Sequence, residues 1–248
     1  MVRLYPIISV VAFFILWAIV ASVVDDVLFP GPVQVGQTLF EELFSGEMVY
    51  HVLITLWRVA ASFAIAMLIG TFIGLMMGRN AIANGLLDPW LVFFLNVPAL
   101  VIIFLCYIWG GLTEFAAILA VVINKVPNVA VMLREGARSL SYELEEMATS
   151  FRYNGVQRYQ HIILPQLQPF IAAAGRSGLS LIWKIVLVVE FLGRSDGVGF
   201  QLHTFFNLSD VASIFAYSIA FIAIMLLIEL IFLQPWERYA TRWRPVSH

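Results

Sequence analysis

Residues 53–77 read LITLWRVAASFAIAMLIGTFIGLMM, an apolar run broken by one charge, Arg58. A helix needs about 20 such residues to cross the roughly 30 Å hydrocarbon layer of a bilayer, and this run is long enough. Five further runs lie on either side of it: Ile7–Val24, Pro89–Trp109, Phe115–Leu133, Phe170–Leu192 and Val211–Leu233. All are continuous, whereas a membrane β-barrel shows short alternating segments. The composition agrees. The 248 residues are 61% hydrophobic and 12% charged, with mean hydropathy +0.91, against about 45–50% and about 25% in soluble domains. That balance excludes a soluble globule and a disordered chain. A net charge of −2 lacks the basic footprint of a nucleic-acid binder, and the lone Cys106 permits no internal disulfide. The expectation is an all-α, polytopic membrane protein of about six transmembrane helices.

The first run follows Arg3 and has no small-x-small cleavage site before Asp25, so it reads as an uncleaved anchor rather than a signal peptide. With the N-terminus inside, one side collects Arg3, Arg79, Arg134, Arg138, Arg152, Arg158, Arg176 and the C-terminal arginines. The other side keeps Arg194, with Arg58 in the outer part of the second span, and the loop from Asp25 to His51 has acids but no Lys or Arg. Positive charge near span ends stays cytoplasmic, which places both termini inside. The chain divides into an N-terminal transmembrane helix (1–28), an outer amphipathic segment (29–52), a core (53–235) and a cytoplasmic tail (236–248). In the outer segment Phe29-Pro30-Gly31-Pro32 breaks the chain, and Val35, Leu39, Leu43 and Phe44 then fall at helical spacing. This fits a short helix lying along the outer membrane surface.

The longest polar stretch runs from about Arg134 to Gln168 on the inner face. It is too charged for lipid, yet Leu140, Leu144, Met147, Ala148 and Phe151 repeat at helical spacing. Ser141 ahead of Glu145 and Glu146 makes a helix start, and Leu164-Pro165 closes a second short helical stretch. A solvated hairpin and a docking surface for a cytosolic partner both fit this pattern. Glu146-Met147-Ala148 followed by Ile162-Ile163-Leu164-Pro165 resembles the EAA loop of ABC-importer permeases. Arg152 stands at the glycine of that motif, with Gly155 three residues later. Thr55-Leu56-Trp57-Arg58-Val59, Leu87-Asp88-Pro89, and Glu190 followed by Gly197-Val198-Gly199 resemble segments of the permeases for nitrate, sulfonate, taurine, bicarbonate and pyrimidine precursors. At Leu95-Asn96-Val97-Pro98 the chain departs from the Arg-Pro-x-Pro common in that group.

The resemblance implies a permease subunit in the bacterial inner membrane, paired with a second copy and carrying a small polar or anionic solute. Separate ATPase subunits would dock on the loop that holds Glu146, Ala148, Arg152, Gly155, Leu164 and Pro165. A periplasmic binding protein would deliver the solute. The chain has no phosphate-binding G-x-x-x-x-G-K-[ST] loop, so ATP and Mg belong to the partner, and no cofactor is expected in this chain. His51, His161, His203 and His248 lack metal-ligand spacing, and no nucleophile–base–orienter set can be assembled. Two alternatives from other classes are an ion-gradient-driven secondary transporter, which more often carries inverted repeats, and a membrane-embedded enzyme.

Charged residues inside spans mark the candidate pathway. Lys125, in Ile123-Asn124-Lys125-Val126-Pro127, carries a charge costing at least about 2.5–3.5 kcal/mol at bilayer depth. It either attracts an anion in the pathway or pairs with a carboxylate on a neighbouring helix. Lys184, after Trp183, adds a second cation or snorkels to the interface. Glu190 stands four residues before Arg194, the favourable order for an ion pair. Arg58 reads as a rim anchor and Glu229 as structural. Gly197 and Gly199 permit a tight turn in the outer loop, at the gate side of the pathway.

Overall fold

The computed structural model describes residues 5–241, and among them every regular element is helical. Arg3, Arg242, Arg244 and His248, used in the charge and metal arguments, lie outside the described residues. The elements are α1 (Tyr5–Val24), α2 (Pro32–Ser45), α3 (Glu47–Arg79), α4 (Ala81–Asn96), α5 (Ala99–Gly110) and α6 (Glu114–Arg138). Then come α7 (Tyr142–Ser150), α8 (Gly155–Arg158), α9 (Leu164–Gly193), α10 (Val198–Leu208), α11 (Val211–Ile228) and α12 (Gln234–Thr241). Four helical runs are long and apolar enough to span a membrane: α3, α6, Gly155–Gly193 and Val211–Ala240. The pair α4–α5 makes a fifth if counted as one span, and Ile8–Val24 is a shorter apolar helix. The fold is an all-α membrane-spanning bundle.

Three local features are set by proline. The run Pro89–Trp109, expected as one span, is broken: α4 and α5 meet at 97°. Pro98 has no N–H and holds Val97 extended, at ψ 126°, so the helix cannot continue through it. Leu164-Pro165 does the opposite of what the sequence suggests. It does not close a helix, because a π-helical segment, Tyr159–Ile163, joins α8 to α9 in one run. Leu164 N–H bonds the Tyr159 carbonyl, and the added residue takes up the donor missing at Pro165. The same device recurs at Glu229–Leu233, where Gln234 N–H bonds the Glu229 carbonyl ahead of Pro235. The last helical run therefore reaches Ala240 rather than ending at Leu233.

The chain forms two compact units. One comprises the residues up to Leu56 with Glu190–Met225, and the other Trp57–Val189 with the residues from Leu226 onward. In the first, Gly31 precedes α2 and Pro32 opens it, a position where a missing N–H costs nothing. Tyr217 of α11 donates from its hydroxyl to Glu42 of α2 at 3.1 Å. Trp17 of α1 donates to the Pro30 carbonyl and packs on Phe215.

The second unit is organised on a seam of small residues. A Cβ placed on Gly70, Gly74 or Gly78 of α3 would come within 2.6 Å of Val129 Cβ, 2.5 Å of the Ala130 carbonyl or 2.5 Å of Ala137 Cβ on α6. Paired positions rise together, so α3 and α6 run parallel in backbone-to-backbone contact, as small-xxx-small packing allows in membranes. Helix α9 returns antiparallel, with Phe170 against Gly136 and Gly178 against Lys125. Val129, Leu133, Ile163, Leu167 and Ala174 close a core among these helices. At one end of the seam Arg58 is buried and paired bidentately with Glu114, at 2.8 Å on both branches. It is an internal clamp rather than a rim anchor.

Candidate functional site

In the first unit the turn before α10 is fixed by buried polar groups of α3 and α9. The Glu190 carboxylate is wholly buried and accepts from Thr55 Oγ1 and from Gly199 N–H, each at 2.9 Å. Thr55 Oγ1 in turn accepts from Val198 N–H at 2.8 Å, and His51 Nδ1 accepts from Gly197 N–H at 3.0 Å. With Nδ1 accepting, the neutral ring carries its proton on Nε2, which faces the Gln201 amide at 2.7 Å; that amide then presents its oxygen. The amides of Gly197, Val198 and Gly199, at the start of α10 where there is no intrahelical acceptor, thus find side-chain partners. Gly197 sits at φ 103°, ψ 169°, a region open essentially to glycine alone. A Cβ there would lie 2.4 Å from the Glu190 carboxyl carbon.

In the second unit the two lysines part company. Lys125 is buried at 2% exposure, with its Cε at 3.4 Å from where a Cβ on Gly178 would stand. Among the described residues it makes no ion pair with a carboxylate. Asn124 is half-buried, and its carbonyl accepts from Asn128 at 3.4 Å. Lys184 is exposed and lies over the half-buried Trp183 ring at 5.5 Å. Six residues separate Gly178 from Lys184, about 240° around α9, so the two lysines meet different faces of that helix. Lys184 shares its exposed face with Ser177, Ser180 and Leu181. Glu229, at the start of the second π segment, pairs with Arg176 at 3.2 Å, and Arg176 also reaches Glu237 at 2.7 Å.

The hairpin between α6 and α9 starts as expected. Ser141 caps α7, accepting from Leu144 N–H at 3.4 Å, and its own N–H bonds Gln166 Oε1 at 2.9 Å. Ala148 is buried, Glu146 is exposed, and Glu145 is engaged by Arg79 and Arg158. Leu164 and Pro165 are half-buried. Helix α7 ends in a Schellman motif: Tyr153 N–H bonds the Ala148 carbonyl and Arg152 N–H bonds the Thr149 carbonyl. That motif requires a left-handed residue after the cap, and Arg152 supplies it at φ 53°. A side chain there costs roughly 1–2 kcal/mol that glycine avoids. Gly155 does not take over this turn. It opens α8 without a positive φ, behind a capping box of Asn154 and Gln157.

The comparisons with known proteins bear on what this arrangement serves. The model of the family described as binding-protein-dependent transport system inner membrane component matches residues 66–234. The chain belongs to that family. It is 29% identical over 231 residues to a permease named for aliphatic sulfonates transport, SsuC of Bacillus subtilis, covering 92% of this chain and 83% of that one. It is 25% identical over 251 residues to the bicarbonate transport system permease CmpB of Synechococcus elongatus, covering 94% and 88%. Its fold matches a chain of the MetNI methionine ABC transporter in inward-facing conformation, with TM-score 0.64 at 16% identity, over 81% of this chain and 98% of that one.

This permease is therefore the transmembrane subunit of an ABC importer and not an enzyme; a separate subunit hydrolyses ATP. The family match displaces the secondary transporter and the membrane enzyme. Of the residues singled out from sequence, Glu190, Gly197 and Gly199 come together in the first unit. The hairpin set forms one element of the second. His51, Thr55 and Gln201 were overlooked as anchors of the α10 turn. Thr55 lies in the segment already matched to the permease group, which was the available signal. The Gly70-x3-Gly74-x3-Gly78 spacing was equally readable as a packing seam. Asp88, in another matched segment, pairs with Arg134, and Asn84 accepts from Arg138 at 2.9 Å, tying α4 to the end of α6.

Proposed function

We propose that this permease carries a small polar or anionic solute through a pathway lined by α6 and α9, as one of two copies in the bacterial inner membrane. The carrying observation is the exposed face of α9. Ser177, Ser180 and Lys184 recur at helical spacing and are exposed within a spanning helix. A lysine facing acyl chains costs at least about 2.5–3.5 kcal/mol, so this face meets water or a second copy, not lipid. The half-buried Asn124 supplies a polar group of α6 and Lys125 a buried charge beside it, and Trp183 positions Lys184. Relatives named for sulfonates and for bicarbonate support an anionic cargo.

The hairpin, with both termini, lies in the cytoplasm in this reading and receives the ATPase. Glu146 and the exposed apolar side chains of Leu144, Met147 and Phe151, held in place by the buried Ala148, form the contact. Leu164 and Pro165 continue directly into α9, so a push on the hairpin moves a pathway helix without an intervening loop. This is a lever of the kind rigid-body gating needs. The Gly197–Gly199 turn holds the gate side of the outer loop, where a periplasmic binding protein delivers the solute.

Uptake by the reconstituted transporter, compared for sulfonate, taurine, bicarbonate and a neutral pyrimidine, tests the pathway. Lys125→Met and Lys184→Met keep the side-chain bulk and remove the charge. Transport of anions falls more than that of the neutral solute, with the thermal midpoint in detergent unchanged. Both variants transporting every solute at the wild-type rate would remove the lysines from the pathway.

A further inference from the structure

Arg152 is the one long side chain among the described non-glycine residues with positive φ; the others are Asp25 and Ser209. Glycine is the least costly residue at the position after a helix cap, so arginine is locally the worse choice there. Among the described residues nothing compensates. The side chain is exposed, and its guanidinium pairs with no carboxylate among the described residues. By contrast Arg79 and Arg158, at the same hairpin, are both taken up by Glu145.

The surroundings are those of a contact surface. Phe151 is 71% exposed and Tyr142 73% exposed, although both belong to a polar hairpin outside the spanning helices. An exposed ring beside a charge held in a disfavoured backbone conformation points to a partner. The remaining free charges of α7, Glu143 and Glu146, are acidic, so Arg152 is the local positive point of this face. A guanidinium presents a planar fork of donors that matches a carboxylate bidentately.

We propose that Arg152 selects the ATPase partner: the left-handed cap aims its guanidinium at a carboxylate of the ATPase subunit, beside the exposed Phe151 ring. This rests on the reading of the hairpin as the ATPase contact and goes beyond it by naming the residue and the chemistry opposite.

The ATPase subunit that copurifies with tagged wild-type permease is identified by mass spectrometry, purified, and titrated onto permease variants in nanodiscs of zwitterionic lipid. Arg152→Gly folds at least as well as the wild type, because glycine suits the cap. Its affinity for the ATPase falls about tenfold at low salt, and the difference shrinks at high salt. Arg152→Lys keeps most of the affinity, and Arg152→Glu binds more weakly than Arg152→Gly. Wild-type affinity and salt dependence in Arg152→Gly would overturn the assignment, as would Arg152→Glu binding no worse than Arg152→Gly. Phe151→Asp and Glu146→Lys separate the two levels. If they lose the ATPase while Arg152→Gly retains it, only the arginine assignment falls. If they too bind as wild type, the docking reading falls with it.

Discussion

Replacing Gly197 with alanine adds one methyl group at the tightest polar point of the first unit. Two costs are readable from the geometry. The backbone at φ 103°, ψ 169° lies in a region that costs a side-chain-bearing residue about 1–3 kcal/mol. The new Cβ would stand 2.4 Å from Glu190 Cδ and Oε1, so the carboxylate has to move. It is buried and held by Thr55 Oγ1 and Gly199 N–H, both at 2.9 Å. Losing even one hydrogen bond to such a group costs about 1.5–3 kcal/mol. Together the substitution destabilises by roughly 2.5–6 kcal/mol, a large part of the ~5–15 kcal/mol typical of a folded domain.

Gly155→Ala is the matched control, since its Cβ meets nothing within 4 Å and its φ is not positive; it changes stability by less than about 1 kcal/mol. Thermal unfolding in detergent measures both, and hydrogen exchange at Val198 and Gly199 localises the effect to the start of α10. A Gly197→Ala protein with the wild-type midpoint and protected α10 amides would refute the reasoning about this network.

Other consequences are as concrete. Arg58→Met costs about 1–3 kcal/mol, less than for a fully buried pair because Glu114 remains partly exposed; a double-mutant cycle with Glu114→Gln shows whether the loss is the pair's. Gly74→Leu forces α3 from α6, because its Cβ would lie 2.5 Å from the Ala130 carbonyl and 2.8 Å from Leu133 Cβ, and lowers the thermal midpoint sharply, whereas Gly36→Ala, in open space, does not. Pro165→Ala restores a backbone donor and lets the π segment relax, so stability holds or rises while transport-stimulated ATP turnover falls.

How far the sequence led depended on the range of the interaction. Long apolar runs report their own environment, and the helical class was legible from them. The Ser141 start of α7 is local chemistry and was equally legible. The break at Val97-Pro98 was signalled by a proline, yet Pro89 and Pro127 lie inside helices without ending them, and a single sequence does not tell these cases apart. Leu164-Pro165 misled for a related reason: the bond pattern of the preceding turn, not the proline, decides whether a helix stops. Glu190 carried a short-range signal toward Arg194, while Thr55 and Gly199 reach it through the fold. The cost at Arg152 became visible only with its φ, although its departure from the motif was plain in the letters.

The role of the hairpin in coupling is tested most directly by reconstituting the complete transporter with Glu146→Lys or with Ala148→Arg. ATP turnover stimulated by solute and binding protein is then measured beside copurification of the ATPase. Glu146 is exposed, so its replacement leaves the helical bundle intact, whereas Ala148 is buried and an arginine there also disturbs the packing of the hairpin. The account predicts loss of stimulated turnover and uptake in both variants, with the Glu146→Lys permease still folded in the membrane. Wild-type turnover, uptake and copurification in both variants would contradict the account and remove this hairpin from the coupling mechanism.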